Sequence, residues 1–286
     1  MINLSVVWDV SPVLFRMGSV EIRWYGILFA CAFIISYLLL KKIFQKENLD
    51  VSYLDRLTVY CLIAVLVGAR LGHCIFYDFS YYSNHIIEML LPIHYTVEGW
   101  KFSGYQGLAS HGGAIGIIIA LIIYSRNTKI PFMWIVERLV IVICFSGASI
   151  RLGNLMNSEI YGLPTSLPWG FIFINDGQTI PCHPTQLYEA LSYIAIGLVL
   201  FFVLKKKKVH QGMIFGIFLV ALFCVRFLLE FLKNNQESWE DALLLNMGQI
   251  LSIPFIVAGV VFIILSRKKD LGKTLDITLL TQKKKK

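Results

Sequence analysis

What this sequence is short of is charge. Asp, Glu, Lys and Arg make up only 15% of its 286 residues, while 57% are hydrophobic and the mean hydropathy is +0.68. A soluble domain of that size needs more polar surface. C-x-x-C pairs are missing too. Five of the six cysteines (Cys31, Cys61, Cys74, Cys144 and Cys224) fall inside apolar runs, and Cys182 stands alone in a loop, so neither a disulfide framework nor a zinc site is expected. No H-E-x-x-H, G-x-S-x-G or phosphate-loop pattern occurs, which removes the common zinc-enzyme, serine-hydrolase and nucleotide-binding readings. Residues 1–20 carry no basic leader and no small-residue cleavage site, so the first apolar run is expected to act as an uncleaved signal anchor.

What is present is a series of apolar runs of about 17–25 residues, the length that crosses a bilayer. The expected fold is all-α: a polytopic membrane protein of seven transmembrane helices, near 22–41, 57–77, 111–125, 131–150, 186–204, 212–232 and 247–266. Residues 1–270 then form a single membrane domain, with outer segments near 79–107 and 161–182, and 271–286 form a basic tail. The stretch 86–93 is too short to span and suits an interfacial or re-entrant piece.

The net charge of +8 sits at the ends of apolar runs, which favours membrane topology over nucleic-acid binding. One side collects eighteen Lys and Arg in 41–56, 126–130, 205–211 and 267–286; the other has five (Arg16, Arg23, Lys101, Arg151 and Lys233). The positive-inside rule puts the N-terminus outside and the C-terminus in the cytoplasm. Trp24, Tyr77, Tyr81, Tyr82, Trp100, Trp169 and Trp239 then form an outer aromatic belt.

On that orientation the intramembrane polar groups gather at one depth. Tyr25, Arg70, His111, Arg151, Asn154, Glu159, His183, Tyr188, Glu189, Arg226, Glu230 and Gln249 all fall in or near the outer leaflet. A charge at the bilayer centre costs roughly 2.5–3.5 kcal/mol on insertion scales, so such residues usually line a cavity. Arg70, Arg151 and Arg226 offer fixed guanidinium forks for a phosphate diester. Tyr25 and His111 are placed to move a proton. The implied chemistry binds a phospholipid headgroup and shifts a proton without metal or cofactor.

Plainer uses remain open. Arg226 and Glu230, one turn apart, suit a mutual ion pair. Arg70 between Gly68 and Gly72 suits packing, and Glu189 suits a cap on a helix that Pro184 starts. Gly112/Gly116 and Gly212/Gly216 have the spacing of close helix contacts. A lipid carrier or scramblase would use the same arginines without needing His111 or Tyr25, and a multipass scaffold would need neither.

Seven pieces taken together carry a resemblance: RWYG at 23–26, GARLG at 68–72, SHGGAIG at 110–116, RLGNLMNSEIYG at 151–162, HPTQLYE at 183–189, VRFLLEF at 225–231 and MGQILSIP at 247–254. In this order they resemble the bacterial phosphatidylglycerol–prolipoprotein diacylglyceryl transferase family. The resemblance implies a seven-helix inner-membrane enzyme with a periplasmic site. It would move the diacylglyceryl group of phosphatidylglycerol onto the lipobox cysteine thiol of a prolipoprotein, forming a thioether and releasing glycerol phosphate. Tyr25, Asn154 and Gly162 match positions the family treats as essential. Arg151, Glu159, Arg226 and Glu230 match supporting positions, and His111 matches the histidine before paired glycines. Ile150 and Ser158 stand where the family usually has glycine. Taken together, the residues and the resemblance give an expected site with His111, Tyr25, Arg151 and Arg226 as catalytic residues and Asn154, Glu159, Gly162, Glu230 and Arg70 as substrate-binding ones. Gly162 enters on the resemblance alone and Arg70 on its chemistry alone.

Overall fold

The computed structural model describes residues 5–18, 20–91, 93–96, 99–102, 107, 109–206, 209–234, 243–268 and 271. The basic tail from 272, Trp239, Lys207, Lys208 and Lys269 lie outside them. Among the described residues the order is β1 (Val6–Trp8), β2 (Val13–Met17), β3 (Val20–Arg23), α1 (Trp24–Lys46), α2 (Val51–Phe76), α3 (Phe79–Tyr82), α4 (Ile86–Leu90), β4 (Ile93–Thr96), β5 (Gly99–Phe102), α5 (Ser110–Thr128), α6 (Phe132–Met156), β6 (Phe171–Phe173), α7 (Thr185–Leu204), α8 (Met213–Glu230) and α9 (Met247–Lys268). The protein is mostly helical. Six helices (α1, α2, α6, α7, α8 and α9) are long and apolar enough to cross a membrane, consistent with a polytopic membrane protein. The seventh expected span, α5, is outside that set because polar residues fill both its ends: Ser110 and His111 at one, Arg126, Asn127 and Thr128 at the other.

The chain divides into two compact units. The first comprises residues 1–42 and 136–273. Its core is layered along α6, α7 and α8. Val140, Ile141, Cys144, Leu200, Ile214 and Phe218 are buried at one level, Ala148, Ala190 and Tyr193 at the next, and Leu155, Phe173 and Cys182 at the last. That last layer is roofed by a parallel β1–β6 pair, and the Trp8 indole donates to Leu155 O at 3.0 Å. Gly216 packs on Gly259 of α9, as its spacing predicts, but Gly212 does not pair helices: it turns the chain into α8 at φ +99°. There the buried Glu137 of α6 accepts the free N–H groups of Gly212 (2.7 Å) and Ile214 (3.2 Å), a carboxylate placed at a positive helix end. Pro254 lies inside α9, where Ser252 Oγ donates to Gly248 O at 2.6 Å.

The second unit comprises residues 43–135 and 274–286. Its helix α2 begins where Asp50 accepts the Ser52 N–H at 2.8 Å, and it packs along α5. A Cβ on Gly112 would stand 2.2 Å from Gly68 O, and one on Gly68 would stand 2.5 Å from Gly112 O. Backbone meets backbone here, so no larger residue fits. Tyr124, fully buried, donates to Tyr53 O at 2.8 Å, and Trp134 Nε1 donates to Glu47 at 3.0 Å.

Candidate active site

The polar cluster of the first unit starts from the way α6 ends. Ser158 N donates to Leu155 O and Glu159 N to Asn154 O, both at 3.0 Å, with Ser158 left-handed at φ +57°. This is a Schellman cap, in which the side chains five apart at its two ends become neighbours, commonly through an apolar contact. Here those ends are Asn154 and Glu159. Asn154 Nδ2 donates to Glu159 Oε1 at 2.9 Å, and Asn157 Nδ2 adds a second bond at 3.2 Å. One turn back, Arg151 Nη1 reaches Asn154 Oδ1 at 3.4 Å. The spacing of R-L-G-N-x-x-N-x-E is thus the geometry of one helix cap. Ser158 occupies the left-handed position where glycine is the usual residue; Ile150 lies in regular helix, with no such requirement.

Beyond Glu159 the chain is stitched to the start of α7. Gly162 N donates to His183 O at 2.8 Å, His183 N to Leu163 O at 2.9 Å, and Leu163 N to Leu232 O at 2.7 Å. Three segments therefore meet at Gly162, where a Cβ would lie 2.2 Å from Leu232 O and 2.7 Å from Thr185 Cγ2. That close approach is what demands glycine. Farther along, burial lowers the pKa of His183, and Tyr161 is pushed up to about 12 by burial and by its hydrogen bond to Asp176.

Glu189 is not a first-turn cap. Its carboxylate is 1% exposed and joins two cations: Arg151 Nε at 2.7 Å and Lys233 Nζ at 2.9 Å. Lys233 also lies 3.8 Å from Glu230 Oε2, so Arg151, Glu189, Lys233 and Glu230 form one chain of alternating charge with buried carboxylates and half-buried cations. Glu230 presses on Gly248 of α9, where a Cβ would come within 2.6 Å of its carboxyl carbon. Sequence reasoning missed Lys233, counting it only as an outer positive charge; its one local signal is a position three residues after Glu230. The Arg226–Glu230 ion pair, the plainer use left open for these two residues, is absent among the described residues. Arg226 is exposed and makes no ion pair among the described residues. Gln249 exchanges bonds with Asn246 (3.0 and 3.2 Å) as a capping box on α9, and its Nε2 donates to Phe227 O of α8 at 3.5 Å. Tyr25, starting α1, lays its ring on Gly153, where a Cβ would meet Tyr25 Cδ2 at 2.7 Å. That contact puts it beside Asn154 in the chain.

Two predicted residues belong to the second unit. Arg70 is buried and committed: its guanidinium donates to Glu88 O (2.6 Å) and Met89 O (3.3 Å) and lies 4.7 Å from the Tyr82 ring centroid, docking α3 and α4 on α2. His111 is exposed in the first turn of α5.

Residues 12–265 match the family model described as prolipoprotein diacylglyceryl transferase. The chain belongs to that family. Relatives named phosphatidylglycerol–prolipoprotein diacylglyceryl transferase agree along nearly the whole length. The Bacteroides fragilis protein is 44% identical over 269 residues, covering 93% of this chain and 97% of that one. The Porphyromonas gingivalis protein is 43% identical, covering 95% and 98%, and the Tolumonas auensis protein is 40% identical, covering 92% and 98%. Every part of the cluster, from Tyr25 to Gly248, falls within the segment that matches this transferase family.

Proposed function

We propose that this protein transfers the diacylglyceryl group of phosphatidylglycerol to the thiol of the lipobox cysteine in a prolipoprotein. A carbon–sulfur bond forms at the lipid glycerol and the carbon–oxygen bond to phosphate breaks. The electron pair leaves on glycerol phosphate, and the thiol proton goes to a base. The observation that carries this reading, beside family membership, is the fixed guanidinium of Arg151, 2.7 Å from the buried Glu189 carboxylate and tied through Asn154 to Glu159. Arg151 is paired with Glu189, and the exposed Arg226 has no ion partner among the described residues. A guanidinium fixed before the reaction stabilises charge on a departing phosphate without reorganising.

In this reading Glu159 and Asn154 orient Arg151, Glu230 and Lys233 neutralise the interior, and Gly162 closes the loop. A thiol is a poor nucleophile until deprotonated; His111 takes the proton and Tyr25 orients the substrate. Arg70 acts at one remove, through the helices α3 and α4 that it docks on α2. Helix α5 completes a seven-span bundle in the inner membrane, with the N-terminus and the cluster on the periplasmic side and the tail in the cytoplasm. The test is mass spectrometry of a lipobox peptide with one cysteine, incubated with purified protein and phosphatidylglycerol. A diacylglyceryl mass gain that vanishes in the cysteine-to-serine peptide is expected. Lipid that is bound or moved between leaflets with no adduct would transfer the case to a lipid carrier.

A further inference from the structure

Two features of the loop after α6 are unaccounted for by the cap alone. Ile160 is left-handed at φ +62°, only two residues beyond the left-handed Ser158. A β-branched residue in that region is a genuine outlier, and such strain persists only where the surroundings over-determine it. What surrounds it is the first turn of α7. Thr185 Oγ1 donates to Ile160 O at 2.9 Å and Gln186 Nε2 donates to Glu159 O at 2.7 Å, from side chains that are both 0% exposed. Neither side chain caps its own helix; both reach across twenty-five residues or more of sequence to grip consecutive carbonyls.

We infer that Thr185 and Gln186 are positioning residues that fix the Glu159 carboxylate, and through Asn154 the Arg151 guanidinium. The argument is one of shared faces. Thr185 and Gln186 are four and three residues before Glu189, so all three project from one side of α7. Glu189 grips Arg151 directly at 2.7 Å, while the two polar residues grip the backbone that carries Glu159. One rigid helix face therefore sets the carboxylate and the guanidinium relative to each other. A catalytic group displaced by about 1 Å loses on the order of 100-fold in rate, and a loop with two left-handed residues has somewhere to go when released.

This inference rests on the transferase reading, so the experiment separates the two. Thr185→Val removes the hydroxyl at constant shape, and Gln186→Glu replaces the donor with a carboxylate oxygen facing the Glu159 carbonyl. Each is expected to lower kcat for diacylglyceryl transfer by about 10- to 100-fold while leaving KM for the peptide within about twofold, as displacement of a charge acting mainly in the transition state requires. Thr185→Ser, which keeps the hydroxyl, restores the rate. Glu159→Gln serves as the reference and is expected to be inactive. Thermal unfolding in detergent checks that each variant is folded, and Gln186→Glu carries the test if Thr185→Val does not fold. If Glu159→Gln is inactive but folded Thr185→Val or Gln186→Glu turns over like wild type, the positioning role is overturned and the transferase reading stands. If Glu159→Gln is fully active, there is nothing to position and both assignments to this loop fall.

Discussion

Arg151 and Arg226 are the same side chain in two electrical settings, and they fail differently when removed. Arg151 is one of two cations on a carboxylate that is 1% exposed. Arg151→Ala leaves Glu189 with Lys233 alone, so it should cost a part of the roughly 3–5 kcal/mol that a wholly unpaired buried carboxylate costs. Arg226 is exposed and supports no buried partner, so Arg226→Ala should change the unfolding midpoint little while raising the phosphatidylglycerol concentration needed for turnover. Thermal unfolding and transfer rate against lipid concentration, measured on both variants, check this contrast; equal stability losses would contradict it. Ser158 gives the opposite case, a residue that tolerates improvement. At φ +57° it bears a left-handed penalty that glycine lacks. Ser158→Gly is expected to stabilise the protein by about 0.5–1 kcal/mol with transfer activity retained, read from the shift in thermal midpoint.

At the scale of elements, the apolar runs marked the long helices, and caps decided where each one stopped. Helix α1 runs past the expected 41 to Lys46 because Asn48, left-handed at φ +58°, closes it with Leu49 N on Phe44 O. Helix α2 starts at Val51 rather than 57 because Asp50 caps it. Hydropathy passes over such residues because caps are polar. The strands were not foreseen for a different reason. Each is three to five residues long, and β1 and β6 join Val6–Trp8 to Phe171–Phe173 across most of the chain, which no local pattern records. Gly112 and Gly216 were legible as helix contacts, whereas Gly212, read the same way, turned out to be the left-handed start of α8. Because Gly112 meets Gly68 O through backbone, Gly112→Leu must part α2 from α5. Overpacking of this kind costs about 1–3 kcal/mol or more. A lowered thermal midpoint in detergent is expected, and an unchanged one would mean that the seam yields more readily than two touching backbones should.

For the whole molecule, the sequence indicated which residues were out of place in a membrane but not which of them touched. Arg151, Asn154 and Glu159 were legible together because one helix cap holds all three. The alternating chain through Glu189 and Lys233 was not, since its links span 38 and 44 residues and depend on α6, α7 and the end of α8 arriving at one place. Helix α7 also gives the assembly a scale. From Thr185, beside the cluster, to Leu204 it has 20 residues, or about 30 Å at 1.5 Å per residue, which is the thickness of the hydrocarbon. The basic residues beginning at Lys205 therefore emerge on the face opposite the cluster if α7 spans upright, and the proposed orientation makes that face the cytoplasmic one. In a cysteine-free background, Trp169→Cys in the lobe near the cluster should react with a membrane-impermeant maleimide on intact spheroplasts. Lys205→Cys should react only after the membrane is opened. The reverse pattern would place the cluster in the cytoplasm, where a translocated cysteine could not reach it, and the proposed transfer would fail on topology alone.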